Sequence, residues 1–147
     1  MAIVLIILFS GCLNVKSTGT TGNISDEKGA NKINIQELAF FTQVEPGLLD
    51  ARSQGKPVFV YARSKYCGAC KQFEAETFTN SSVIDKLNKD FILISIDVDE
   101  QKTETRDFRL RATPTEIFLD PNGTEIKRFL GYRTNQTFLN EINKIVI

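Results

Sequence analysis

Lys56-Pro57-Val58-Phe59-Val60-Tyr61-Ala62-Arg63-Ser64-Lys65-Tyr66-Cys67-Gly68-Ala69-Cys70 reads as a strand, a turn and the opening of a helix. Val58 to Tyr61 is a β-branched and aromatic run set off by the breaker Lys56-Pro57, the pattern of a buried strand. A helix is predicted from near Gly68 through Phe73 towards Phe78. Cys67 therefore falls beside the unpaired N–H groups and the positive end of a helix, which favour a thiolate. A thiolate, not a thiol, attacks a disulfide. Cys70 lies three residues on, close enough to close a small ring and release a mixed disulfide. The expected roles follow: Cys67 is the exposed nucleophile and Cys70 the more buried resolving thiol. Gly68 and Ala69 are small and keep the approach open.

The flanking sequence alternates helix and strand. Upstream, Pro46 opens a short predicted helix over Gly47–Ser53, with Gly55 just past its end. Downstream, Asn80-Ser81-Ser82 caps a further turn or two that puts Val83, Ile84 and Leu87 on one side. Phe91 to Ile96 is apolar without alternation, as expected for a central strand covered on both faces. Gln101 to Leu110 reads as a polar helix, and Thr115 to Leu119 as a strand. Asp120-Pro121-Asn122-Gly123 then turns the chain into Thr124–Leu130, giving an antiparallel hairpin. Phe138, Leu139, Ile142, Ile145 and Val146 recur at helical spacing after a cap at Thr134 or Asn135. The order β-α-β-α-β-β-α, with a helix before it, specifies an α/β domain with a parallel core and an antiparallel edge.

With Ala112-Thr113-Pro114-Thr115 added to the quoted stretch, the chain resembles the thioredoxin superfamily. Within it the likeness is to thioredoxin-related periplasmic proteins and to the C-terminal domain of the thiol:disulfide interchange protein DsbD. Gln72-Phe73-Glu74, Thr77-Phe78, the Asp120–Gly123 turn and Gly131-Tyr132 extend it over about residues 40 to 145. The resemblance implies a thioredoxin-like fold, with a central mixed sheet of about four to five strands flanked by helices. It implies a cis Pro114 facing the cysteine pair, with the backbone of Thr113 offered for strand-like pairing with a substrate chain. Tyr66, Gly68, Ala69, Thr113 and Pro114 are the implied substrate-binding residues. A plainer reading has Pro114 simply beginning an edge strand. Tyr61 stands where the family carries a buried aspartate, which leaves the proton acceptor for Cys70 open among Glu74, Glu76 and water. The implied activity is reversible dithiol–disulfide exchange with protein substrates, as a reductant or electron relay. A membrane thiol-reductant transporter would recharge it, and cytochrome maturation or disulfide repair would use it. The redox group is the Cys67–Cys70 disulfide, with no metal or organic cofactor implied.

Composition narrows the alternatives. Lys plus Arg equals Asp plus Glu at 18 each, so there is no electrostatic case for nucleic acid. The absence of histidine removes Ser-His and Cys-His catalysis. A zinc site needs four ligands, and the Cys67–Cys70 pair has no second pair to join. The remaining rival is a structural disulfide in a non-catalytic binding module, although a staple across three residues gains little loop entropy. At the amino terminus, Ala2 to Phe9 is apolar, too short to span a bilayer, and is followed by Ser10-Gly11-Cys12. Phe9-Ser10-Gly11-Cys12 resembles a prokaryotic lipobox, with Cys12 as lipid attachment site; a plain signal or uncleaved anchor and a buried cytosolic segment are the competing readings. The expected organisation is a signal peptide and lipobox over 1–12, a flexible tether over 13–32 and a thioredoxin-like domain over 33–147. The domain is expected to be a monomer held at the outer face of the cell membrane.

Overall fold

The computed structural model describes residues 32–145, so Cys12, the signal segment, Val146 and all of the tether but its last residue lie outside the described residues. In chain order the elements are β1 (Lys32–Ile35), β2 (Leu38–Phe41), α1 (Val44–Gln54), β3 (Val58–Arg63), α2 (Gly68–Glu76) and α3 (Ser81–Asp90). They continue as β4 (Ile92–Asp97), α4 (Lys102–Asp107), β5 (Thr115–Leu119), β6 (Glu125–Leu130) and α5 (Asn135–Ile142). The strands form one mixed sheet in the order β1-β2-β4-β3-β5-β6. β4 runs parallel to β2 and β3, whereas β5 joins β3 antiparallel and carries β6 as a hairpin.

The alternation of side chains along β3 splits the core into two layers. Phe59 and Tyr61 point to one face, and Val58, Val60 and Ala62 to the other. The first layer is aromatic: Phe40, Phe59, Tyr61, Phe73, Phe78, Phe118 and Phe138 are all fully buried. It is covered by α2, α3 and α5 through Phe73, Leu87 and Phe138. Phe59 and Phe118 stack at 5.2 Å, Tyr61 and Phe73 at 5.7 Å. Each such burial contributes about 1.5–3 kcal/mol, and α2 is held to the sheet through its two buried residues, Cys70 and Phe73. The second layer is aliphatic and lies under α1 and α4, with Ala51, Leu48 and Phe108 against Ile94, Ile96 and Ile117. α1 approaches β4 so closely that a Cβ on Gly47 would lie 2.6 Å from the Ile94 side chain. No helix among the described residues is long and apolar enough to cross a membrane.

The sheet has six strands, not four to five, because a hairpin precedes the first helix. Its turn passes through Gln36 at φ 54°, a left-handed conformation without the glycine that would announce it. Lys32, counted at the end of the tether, belongs to β1. α1 starts at Val44, earlier than Pro46 suggests, and Pro46 still falls in the first turn, where an amide has no intrahelical acceptor. α4 is shorter than the polar stretch predicted for it. α5 is capped by Thr134 and stops at Ile142, so Ile145 packs into the core from outside the helix.

Candidate active site

The three central strands bring the cysteine pair and the cis peptide to one end of the sheet. Ala62 near the end of β3 is in register with Thr115 at the start of β5. The chain leaving β3 therefore enters the Cys67 loop beside the Thr113–Pro114 bond, which is cis. Pro114 is buried and its carbonyl accepts the Gly131 N–H at 2.8 Å, while Thr113 is half-buried.

Cys67 is the N-cap of α2, and its Sγ accepts the Cys70 N–H at 3.0 Å. The two sulfurs are joined in a disulfide. Cys67 is half-buried, whereas Cys70 is 1% exposed beneath it. Gly68 and Ala69 are exposed, and Tyr66 projects at 80% exposure with the Lys65 ammonium 5.2 Å from its ring centre. Asp99, beyond β4, holds this loop from the side. Its Oδ2 accepts from the Ser64 hydroxyl at 2.8 Å and the Lys65 N–H at 3.1 Å, and Ser64 Oγ in turn accepts the Tyr66 N–H.

Tyr61 lies under the pair. Its hydroxyl donates towards the Cys70 carbonyl at 3.4 Å and towards Glu74 Oε1 at 3.2 Å, and burial together with the Glu74 charge raises its pKa far above the ordinary phenol value. The same Glu74 oxygen accepts from Arg63 Nε at 2.8 Å, so that guanidinium is committed to Glu74. Of the two acidic candidates on α2, Glu74 approaches the pair through Tyr61. Glu76 is exposed and accepts from the Tyr132 hydroxyl instead. Sequence reasoning did not single out Asp99, which reaches the loop across 35 residues, nor the buried acid on β5, Glu116. A lone charge inside the apolar run Thr115–Leu119 was the available signal for Glu116.

The profile of the thioredoxin-like domain matches residues 45–145. The chain belongs to the thioredoxin-like domain family. It is 30% identical over 123 residues to the thiol:disulfide interchange protein DsbD of Yersinia pestis, covering 80% of this chain and 20% of that protein. To the protein of the same name from Actinobacillus pleuropneumoniae it is 31% identical over 99 residues, covering 63% and 17%. The thioredoxin-like domain thus spans about a fifth of the length of these relatives. Among solved structures, a thioredoxin from Thermus thermophilus superposes with a TM-score of 0.64 at 30% identity, covering 70% of this chain and 83% of that one. The thioredoxin-like fold expected from the sequence is the one observed.

Proposed function

We propose that this thioredoxin-like domain is an extracytoplasmic protein thiol–disulfide oxidoreductase in which Cys67 attacks and Cys70 resolves. The observation that carries the reading is the asymmetry of the pair: Cys67 caps a helix and is only half-buried, and Cys70 lies fully buried one turn below it. In the reductive direction, the Cys67 thiolate attacks a sulfur of a substrate disulfide, and the other substrate sulfur leaves with the bonding pair. Cys70 then gives up its proton and attacks Cys67 Sγ, releasing the second substrate thiol and closing the disulfide. The helix end favours the Cys67 thiolate. The exposed Tyr66, Gly68 and Ala69, with the half-buried Thr113 across the sheet end held in place by the buried cis Pro114, supply the rim on which a substrate chain lies.

The relatives named DsbD favour a reductant or electron relay fed by a membrane thiol-reductant transporter. The lipobox-like Phe9-Ser10-Gly11-Cys12 favours a lipid tether at Cys12. The electron carrier in this reading is the disulfide itself, without a metal or organic cofactor.

The reduction potential tests it, measured by equilibration in dithiothreitol or glutathione buffers with Cys67→Ser as control. A reversible two-electron couple near about −270 mV is expected for a reductase. A value near about −120 mV would mean an oxidant, and resistance to reduction below roughly −300 mV would return the disulfide to a structural staple.

A further inference from the structure

Glu116 is the second residue of β5, a fully buried strand whose pattern calls for an apolar side chain there. It is fully buried, and neither carboxyl oxygen has a hydrogen-bond partner among the described residues. Arg133, on the loop before α5, holds its Nε 3.8 Å from Oε2, outside hydrogen-bonding range, and stacks its guanidinium 4.0 Å over the Phe129 ring. A buried carboxylate without hydrogen bonds is costly, and a neutral carboxyl much less so. Burial accordingly pushes the Glu116 pKa up to about 8, with the Arg133 charge pulling the other way.

The register explains why this position matters. Ser95 on β4, Tyr61 on β3 and Glu116 on β5 are aligned across the sheet, and all three are buried on the face that carries α2. Tyr61 is the side chain that reaches the Cys70 carbonyl. Tyr61 thus neighbours Glu116 across the β3–β5 ladder at its backbone and reaches the resolving cysteine with its hydroxyl. The other charged or titratable groups around this row are Glu74, paired with Arg63 and Tyr61, and Arg133. Lys127 on β6 and Glu141 on α5 pair with each other. Ser95 and Phe129 carry no charge.

We infer that Glu116 is a positioning residue that governs the ionisation of Cys70, its carboxyl competing with the resolving thiol for a proton beneath α2. The inference rests on the exchange reaction proposed above. When a donor dithiol reduces the domain, a donor thiolate attacks Cys67 Sγ, the S–S bond breaks, and the electron pair departs on Cys70 Sγ. The second donor thiol, losing its proton, then displaces Cys67 as thiolate and leaves as the donor disulfide. Two electrons thus enter the domain, and protons follow to the sulfurs. With Glu116 neutral, the Cys70 thiolate is the one new charge in the layer. With Glu116 ionised, two like charges share a desolvated space, which raises the thiol's hold on its proton and slows its departure.

The test uses the full chain. The Glu116 carboxyl carbon is titrated by NMR in the oxidised form and after phosphine reduction. In parallel, the rate of reduction by dithiothreitol and the Cys70 thiol titration are followed from pH 5.5 to 9.5 in the parent and in Glu116→Gln. The expected result is a Glu116 midpoint that differs between the two redox states. In Glu116→Gln, Cys70 should ionise at lower pH, by about one pK unit or tenfold in proton affinity. The parent rate profile should bend near pH 8, and the bend should be gone from the variant. Identical Glu116 midpoints in both redox states overturn the inference, as do superimposable rate and thiol profiles. If Glu116→Gln does not fold, the two midpoints of the parent decide alone. A disulfide that dithiothreitol fails to reduce at any pH overturns the oxidoreductase reading together with this one. A disulfide that is reduced with a Glu116-independent profile overturns this one only.

Discussion

Glu116→Leu exchanges a buried carboxyl that has no hydrogen-bond partner for an apolar side chain of similar size, and Arg133, whose side chain is 24% exposed, keeps its stacking on Phe129 when the carboxyl is gone. The folded pKa of Glu116 lies near 8, above the ordinary value of 4.5 that holds in the unfolded chain. Between those values the unfolded chain has shed the proton that the folded one keeps. The Glu116 contribution to stability therefore falls as pH rises through that window and levels off above it. Glu116→Leu should remove this slope. It should stabilise the fold by about 1–3 kcal/mol at pH 8.5 and by much less at pH 4.5, read from urea unfolding at the two pH values. An equal gain at both would mean that the carboxyl is not held neutral. At this scale Cys67 and Cys70 were legible because their chemistry is local, two thiols at fixed spacing on one helix end. Asp99 and Arg133 were not, because each acts on residues that only the folded sheet brings near.

The helices are more legible in the sequence than the first strands. Asn80 announces α3 by side-chain chemistry alone, its Oδ1 accepting the Val83 N–H at 3.2 Å, and Thr134 does the same for α5. β1 and β2 have four residues each, and their turn runs through Gln36 and Glu37, neither of which signals a reversal. Gln36 holds φ 54° while exposed, a conformation that costs a side-chain-bearing residue about 1–2 kcal/mol. Gln36→Gly should relieve most of that strain against a smaller loss of unfolded-state restriction, for a net gain of roughly 0.5–1 kcal/mol. The urea midpoint should rise with the slope unchanged. A lower midpoint would show that the glutamine restricts the unfolded chain by more than the turn strains the folded one.

Across the whole molecule, the alternation of strands and helices could be read from the chain, but the order β1-β2-β4-β3-β5-β6 could not, since each central pairing joins residues far apart in sequence. That order makes β3 the strand between one parallel and one antiparallel neighbour, and it delivers the disulfide to the sheet end where β5 begins. It also gathers the chromophores. The chain has no tryptophan and three tyrosines. Tyr66 is bonded to Cys67, Tyr61 lies under Cys70, and Tyr132, between β6 and α5, sits against Phe73 of the helix that Cys67 caps, ring centres 6.5 Å apart. A nearby disulfide quenches excited phenol rings, and a pair of thiols does so far less. Tyrosine emission from the parent protein should therefore rise on reduction and fall again on reoxidation, while Cys67→Ser stays bright throughout. The molecule thus carries an optical gauge of its own redox state, with no dye attached.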